Sequence, residues 1–285
     1  MMIVYSIPRD EVIGLSYQLP PFPAIVTQIL ATIENPDANL NLLVAYIQRD
    51  PILAARVLSL ANSASKNRQH QVISDIPQAI SMIGMGRVRE MAIFSSIAGF
   101  AKGIDSQTLP MAFWEHSIAV GICCEELAHY CGMANLSETA LITGLLHDVG
   151  QLWLHCFNAQ DYRELWRKTL AHEISIEQAE QERFGVDHAT IGAWLGEHWA
   201  LPNDIVKAIR YHHIPDMALP DRMVPLVHVA EVLSNALDLM GRDENRVTHI
   251  SSAACQKIGI ALDDDIRSLF GRIEARSRYA ISLFQ

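Results

Sequence analysis

Apolar residues recur at helical spacing along almost the whole chain, and this periodicity limits what the chain can fold into. Ile25, Ile29 and Ile33, for example, follow one another at four-residue steps, which place them on one face of an α-helix. No segment alternates apolar and polar residues with the two-residue period that is typical of a half-buried strand. The sequence therefore predicts an all-α protein.

Proline, glycine and capping residues predict where the helices begin and end. Asp50 followed by Pro51 is a typical helix start, and Asn35 followed by Pro36 closes the helix before it. A turn at Gly84–Gly86 and a linker at 101–110 are also expected. The predicted helices span approximately 24–34, 39–48, 51–61, 76–83, 88–100, 111–130, 137–154, 161–171, 175–182, 188–198, 203–213 and 223–240, with two more in 241–285.

Composition excludes several classes of protein. The 285 residues are 50% hydrophobic and 19% charged, which is too apolar for a disordered chain. A net charge of −10 argues against general nucleic-acid binding, which requires many basic residues. No secretory or membrane-spanning segment is visible, and the five cysteines form no CxxC motif, as expected of reduced thiols. We therefore expect a cytoplasmic protein that does not bind a membrane.

Histidines and acids are concentrated in the second half, where several of them coincide with apolar helix faces. His116 is in phase with Ala119 and Cys123, and Asp148 is in phase with Leu145 and Leu152. A carboxylate that faces a core is costly unless a cation or donor compensates it, and imidazoles with carboxylates are ligands of divalent metals. A metal site is the leading hypothesis. Any one of these histidines alone is more often a hydrogen-bonded core residue, and that alternative stays open at each position.

Two segments resemble known families. TGLLHDVGQLWL at 143–154 resembles the helix that names the HD superfamily of metal-dependent phosphohydrolases, in which the adjacent His and Asp bind metal. Residues 19–64, which begin LPPFPAIVTQIL, resemble the opening of the HDOD domain, a signalling-output relative of those enzymes. The resemblance extends from about Leu15 to Leu239. It implies an N-terminal helical bundle at 15–107 packed on an HD-type bundle at 108–240, with C-terminal helices at 241–285.

The resemblance also implies a ligand set for one or two divalent ions. Asp148 would bridge the two ions and, in an enzyme, would be the catalytic carboxylate. Glu231 stands where the family pattern has Asp, so its carboxylate is one methylene further from the backbone. Iron, manganese, zinc and nickel all suit such a site. The implied ligands are His116, His147, Asp148 and Glu231 for one ion, and Asp148, His188, His212 and His213 for the other.

The sequence departs from the phosphohydrolase pattern in two places. Gln151 stands where those enzymes generally have Lys, so a neutral amide replaces a cation that can neutralise phosphate. The Gly-Tyr-Pro loop expected soon after His213 is missing. Lys207 and Arg210 precede the His-His pair by about one helical turn and could approach a phosphate, although such side chains usually face solvent. Gln151, Lys207 and Arg210 are the candidate substrate-binding residues.

Two functions remain open from the sequence. The first is an HDOD-type regulatory module that keeps a metal site and contacts a signalling protein partner. The alternative is a metal-dependent phosphohydrolase that acts on a nucleotide or cyclic dinucleotide. The ligand set favours the enzyme, whereas Gln151 and the missing loop oppose it. Because HDOD proteins resemble signalling outputs without established catalysis, the regulatory function is ranked first.

Overall fold

Every regular element in the described part of the chain is a helix, which confirms the all-α prediction. The computed structural model describes residues 6–33, 36–65, 72–104, 110–172, 174–218, 220–237, 249–260 and 266–284. Two 3-10 helices lie at Ala134–Leu136 and Pro215–Ala218. The α-helices are α1 Arg9–Ser16, α2 Ala24–Thr32, α3 Pro36–Arg49, α4 Pro51–Ser65, α5 Ile76–Ile83, α6 Met85–Lys102, α7 Met111–Tyr130, α8 Ser137–Leu146, α9 Val149–Phe157, α10 Ala159–His172, α11 Ile176–Phe184, α12 His188–His198, α13 Asn203–Tyr211, α14 Met223–Ala236, α15 Ser252–Ile258 and α16 Ile266–Phe284.

Local capping explains why α5 and α12 begin where the sequence predicts. The Asp75 side chain accepts a hydrogen bond from the Gln78 amide at the start of α5. The Asp187 side chain accepts one from the Thr190 amide at the start of α12. Each of these bonds satisfies a first-turn N–H group that has no partner within its own helix. Capping signals of this kind are local, so the sequence alone reveals them.

Two predictions about the first hundred residues were wrong. No helix was expected before residue 24, yet α1 spans Arg9–Ser16. The turn predicted at Gly84–Gly86 is shorter, because α6 already begins at Met85 and includes Gly86. Within this turn only Gly84 has a positive φ, of 88°, a conformation that glycine adopts at little cost, and it alone separates α5 from α6.

The single helix predicted at 137–154 is in fact two helices, and the break falls at the His-Asp pair. Helix α8 ends at Leu146 and α9 begins at Val149. His147 keeps helical angles, whereas Asp148 has φ −98° and ψ 16°. These angles lie in a sparsely populated region that is common among active-site residues. Asp148 occupies the N-cap position of α9, but its side chain makes no capping hydrogen bond and is available for other contacts.

The described residues form two compact units. One lies within Phe22–Lys102 and Leu283–Gln285, and the other within Met1–Pro21 and Gly103–Ser282. In the first unit, the half-buried Asn62 side chain links the end of α4 to the chain that precedes α5. Its amide donates to the carbonyls of Leu58 and Ile73, and its oxygen accepts from the Ile73 amide. This supports a structural role for Asn62.

The second unit includes α1 and all the predicted metal ligands. The Ile7 amide donates to the Phe184 carbonyl, and the Trp153 indole donates to the Val12 carbonyl. Trp153 is fully buried, so the N-terminal segment covers part of this unit's core. All five cysteines of the chain are free thiols. Among the residues that the structure describes, no helix is both long and apolar enough to cross a membrane.

Candidate metal centre

His147 and His212 face the interior of the second unit with one ring nitrogen bonded and the other unpaired. The Nδ1 of His147 lies 2.7 Å from the Gly144 carbonyl, and that of His212 lies 2.7 Å from the Ile209 carbonyl. Because a carbonyl only accepts, each Nδ1 must carry the proton. In the neutral ring, each Nε2 then presents a lone pair. Both side chains are fully buried, so neither Nε2 can be hydrated from bulk solvent.

His188 is oriented in the same way, but by a carboxylate. It is the first residue of α12, and its Nδ1 lies 2.6 Å from Oε2 of Glu180. The His188 backbone amide donates to the same oxygen at 2.7 Å. The Tyr162 hydroxyl donates to the other oxygen of Glu180 at 2.8 Å. The Nε2 of His188 therefore faces away from Glu180 and towards Asp148.

Asp148 lies at the centre of the cluster, with a different pair of imidazoles next to each oxygen. Its Oδ2 lies 3.3 Å from Nε2 of His147 and 3.7 Å from Nε2 of His116. Its Oδ1 lies 3.3 Å from Nε2 of His188 and 3.7 Å from Nε2 of His212. The break between α8 and α9 makes this placement possible, because Asp148 is released from helical geometry. One carboxylate thus contacts both halves of the cluster.

His213, Glu177 and Glu231 form the more open edge of the site. The Nδ1 of His213 lies 2.8 Å from Oε1 of Glu177 and 3.9 Å from Oε2 of Glu231. Its Nε2 lies 2.9 Å from Nε2 of His188. The His213 and Glu177 side chains are 17% and 22% exposed, whereas that of Glu231 is 10% exposed. Access from solvent is therefore greatest at His213 and Glu177.

The unpaired atoms of the cluster fit a divalent metal. Among the described residues, Nε2 of His147, Nε2 of His212 and Oδ1 of Asp148 are buried without a hydrogen-bond partner. Unsatisfied buried polar groups cost about 1–3 kcal/mol each, so their convergence needs a physical cause. Cations next to these two nitrogens and this oxygen would satisfy all three atoms. The cluster contains two groups with possible ligand atoms within 4.8 Å of one another: Asp148, His188, His212 and His213, and His116, His147 and Glu231.

Electrostatics also favour a cation at the centre. Burial raises the pKa of Asp148, but the imidazoles of His147, His188 and His212 outweigh it and hold that pKa well below its usual range. Burial lowers the pKa of His213 to about 3, so this ring is neutral at physiological pH. Burial raises the pKa of the Glu231 carboxyl to about 7. Burial lowers the pKa of His188, but the carboxylates of Glu180 and Asp148 outweigh it and raise that pKa well above its usual value. The centre therefore favours a positive charge beside Asp148, and a metal ion bound there would have to displace the proton of His188.

The structure brings the seven predicted ligands into one cluster, whereas the predicted substrate-binding residues lie in different environments. Gln151 is buried on α9, one turn after Asp148. Lys207 is exposed on α13, and Arg210 on the same helix is half-buried. A role in substrate binding stays a prediction for these three residues.

The sequence reasoning missed Glu177, Glu180 and Tyr162. Glu180 is completely buried, which is rare for a carboxylate unless it is paired. A signal was present, because Glu180 falls in phase with Ile176 and Phe184, at steps of four residues along α11. An acidic residue on an apolar helix face was the criterion that selected Asp148, and it selects Glu180 as well.

Comparison with known proteins gives a consistent match. The family model described as HDOD domain matches residues 19–215. The crystal structure of a candidate phosphohydrolase from Shewanella amazonensis SB2B superposes on this chain with a TM-score of 0.71, and the two sequences are 24% identical. The match covers 96% of this chain and 98% of that one. The crystal structure of a candidate signal transduction protein from Marinobacter aquaeolei VT8 is 22% identical in sequence and has a TM-score of 0.69. The match covers 97% of this chain and 61% of that one.

A curated relative in Treponema pallidum (strain Nichols) is an uncharacterized protein that is 27% identical over 209 residues. The match includes 73% of this chain but only 40% of the length of that relative. At these identities the two solved structures support the helical fold alone. The HDOD resemblance that was stated from the sequence is confirmed by the family model.

Proposed function

This chain belongs to the HDOD domain family, and from that premise we propose that it is a regulatory module that holds divalent metal in its buried histidine cluster and contacts a signalling protein partner. The proposed metal site is supported chiefly by the position of Asp148, whose two oxygens each lie next to a different pair of imidazoles. The name of the Marinobacter relative, which shares the fold, is consistent with a signalling role.

The proposed ligands divide as the geometry of the cluster suggests. His116, His147, Asp148 and Glu231 would hold one ion, and Asp148, His188, His212 and His213 would hold a second. Bound divalent ions supply Lewis acidity and lower the pKa of water. The chain itself orients the imidazoles through their Nδ1 bonds and excludes solvent from Asp148, which is only 4% exposed.

A metal-dependent phosphohydrolase is the second candidate, and the observation that favours it is the position of Asp148 between two pairs of imidazoles, where it could bind two ions. Enzymes with two metal ions use such a pair to stabilise both the attacking and the leaving oxygen of a phosphoester. The substrate would be a nucleotide or a cyclic dinucleotide. Against this function, Gln151 supplies a neutral amide one turn from Asp148, and Lys207 is exposed on α13. The regulatory function therefore ranks first.

Metal analysis combined with a hydrolysis panel distinguishes the two functions. We expect purified protein to contain divalent metal and to show no turnover of nucleotides or cyclic dinucleotides with added Mn²⁺ or Fe²⁺. Asp148→Ala should lose the metal, whereas Asp161→Asn, at a solvent-exposed ion pair with Arg183, should keep it. Metal-dependent hydrolysis that is lost in Asp148→Ala would favour the enzyme. Protein without metal after reconstitution would contradict both functions.

Gln151→Lys gives an independent test of the same choice. In a phosphohydrolase, a cation at this position could contribute several kcal/mol to transition-state stabilisation, as other positioned charges do. A regulatory module should gain no turnover from the substitution. We therefore expect Gln151→Lys to remain inactive in the hydrolysis panel. A metal-dependent gain of at least tenfold over the parent would instead assign the site to phosphoester chemistry.

A further inference from the structure

We propose that one face of helix α11 orients two imidazoles of the cluster, with Glu180 as the positioning residue for His188 and Glu177 as that for His213. The inference rests on the proposed metal site and adds to it two carboxylates that do not themselves bind the ion. The two residues are three positions apart on α11, so their side chains emerge on the same side of the helix.

Glu180 holds His188 at two points. Its Oε2 accepts from both the backbone amide and the Nδ1 of His188, at 2.7 and 2.6 Å. The backbone contact anchors the first residue of α12, and the ring contact sets the rotation of the imidazole. With Nδ1 engaged, Nε2 is the only ring nitrogen left for an ion. It lies 3.3 Å from Oδ1 of Asp148.

A purely structural role does not explain the contact between Glu180 and the His188 ring. Helix α12 already has an N-cap, because the Asp187 side chain accepts from the Thr190 amide. Burying a carboxylate completely is costly, and two donors at Oε2 and the Tyr162 hydroxyl at Oε1 compensate the cost. The ring contact adds what a metal ligand needs: a defined tautomer, a defined orientation and a more basic Nε2.

Glu177 makes the corresponding contact to His213, with Oε1 lying 2.8 Å from Nδ1. The Nε2 of His213 then lies 2.9 Å from the Nε2 of His188, so both rings direct the same type of atom to one place. Glu177 is 22% exposed, whereas Glu180 is fully buried. Solvent screens the charge of Glu177 more effectively, so its contribution to metal affinity should be the smaller of the two.

The test measures the affinity of the whole 285-residue chain for Co²⁺, using the visible absorption of the bound ion and elemental analysis of stoichiometry. Glu180→Gln preserves the size of the side chain and removes its charge. Loss of such a carboxylate typically weakens metal binding by about 10- to 100-fold, and we expect a change in this range. Glu177→Gln should weaken binding less. Glu126→Gln removes a buried carboxylate outside the cluster, and it should leave the affinity unchanged.

A second variant keeps the test informative if Glu180→Gln does not fold. Tyr162→Phe removes only the hydroxyl that donates to Glu180, and it should weaken Co²⁺ binding by a factor of about 2–10, less than the full loss of the carboxylate. Circular dichroism of the metal-free proteins checks that each variant retains its helices. A change in the absorption spectrum of bound Co²⁺ would report altered ligand geometry, which a loss of stability alone does not produce.

The outcomes separate this inference from the proposed function. If the parent binds Co²⁺ and folded Glu180→Gln or Tyr162→Phe binds it with the same affinity and spectrum, the positioning role is overturned while the metal site stands. If the parent binds no Co²⁺, both are overturned. Weaker binding in Glu180→Gln, with unchanged binding in Glu126→Gln, supports α11 as the element that orients the two imidazoles.

Discussion

Asp148 forgoes a hydrogen bond that would stabilise the start of helix α9, and its carboxylate lies in the candidate metal centre instead. An aspartate at a helix N-cap usually accepts a backbone hydrogen bond, which is worth about 1 kcal/mol. Asp148 makes no such bond, and its carboxylate lies among four imidazoles instead. Residues that break a local rule of helix formation are concentrated at functional sites. The missing cap thus supports a functional role for Asp148 independently of the family resemblance.

His147→Gln tests the cluster at the level of one ligand. Glutamine fills a similar volume but presents no imidazole Nε2, which is unpaired in the buried centre. We expect the variant to retain less than about a tenth of the parent's bound metal while losing only about 1–2 kcal/mol in the free energy of unfolding. Elemental analysis and urea unfolding measure the two quantities.

His129→Gln is the matched control, because His129 is exposed on α7. It should retain the full complement of metal. Equal metal content in His147→Gln and the parent would remove His147 from the ligand set.

At the scale of helices, the site depends on close contacts at glycines. A Cβ at Gly150 would collide with the carbonyl oxygen of His188, so α9 and α12 touch through their backbones. A Cβ at Gly144 on α8 would lie 2.7 Å from Cα of Gly121 on α7. These crossings place His188 and His116 against the His-Asp break. Larger residues would separate the helices that carry the ligands.

Gly150→Ala should therefore disturb both the fold and the site. Accommodating the methyl group requires α12 to move away from α9, which we expect to cost at least about 2 kcal/mol in unfolding free energy. Because His188 begins α12, bound metal should also fall. Gly99→Ala is the control, since no atom lies within 4 Å of a Cβ there and alanine favours an exposed helix position by about 0.5–1 kcal/mol. A Gly150→Ala protein as stable as the parent would contradict the close crossing.

Helix α16 is held to α7 by ion pairs that predict a dependence on pH. Arg272 and Arg276 both donate to the buried carboxylate of Glu126, at 2.9 and 2.8 Å. Burial raises the pKa of Glu126, but the two guanidinium groups outweigh it and lower that pKa below its ordinary value of 4.5. A carboxyl with a depressed pKa stabilises the fold above the unfolded-state pKa, and this stabilisation is lost as the pH falls through the folded-state pKa.

Glu126→Gln should consequently be less stable than the parent at pH 7, by about 1–3 kcal/mol for charge-assisted hydrogen bonds of this kind. The difference should begin to shrink as the pH falls below about 4.5, where the carboxyl becomes protonated in the unfolded state, and should disappear once the pH has fallen through the lowered pKa of the folded state. Urea unfolding of both proteins between pH 7 and pH 3 measures it. A difference that stays constant over this range would show that the ion pairs do not contribute.

For the whole molecule, metal should act as a stabilising ligand. A ligand that binds only the native state raises stability by RT ln(1 + [L]/Kd), which is about 2.7 kcal/mol at a hundred times Kd. A chelator should therefore lower the melting temperature of the parent by several degrees, and added metal should restore it. Asp148→Ala should melt at one temperature under both conditions. A parent whose melting temperature does not respond to a chelator or to metal would contradict the proposed centre.

The sequence predicted most helices and the identity of the clustered residues, but not the contacts that arise from tertiary structure. Periodicity and capping are local, which is why α5, α7 and α12 were predicted with the observed limits. The break at Asp148 was missed because LLHDVGQLWL has an unbroken helical pattern, and only burial among imidazoles explains it. Glu180 has a local signal in its phase with Ile176 and Phe184, but its partners Tyr162 and His188 are brought to it only by tertiary structure.

The N-terminal segment has a consequence for how the chain folds as it is synthesised. Val12 accepts its hydrogen bond from Trp153, which lies 141 residues later, and Arg9 pairs with Glu197, which lies 188 residues later. At about 5–20 residues per second, a ribosome needs roughly 7–28 s to reach Trp153 after Val12. Helix α1 therefore emerges long before the surface that buries it. We expect helix α1 to remain unpacked while the intervening helices form, and to pack against α9 and α12 only after both have left the ribosome.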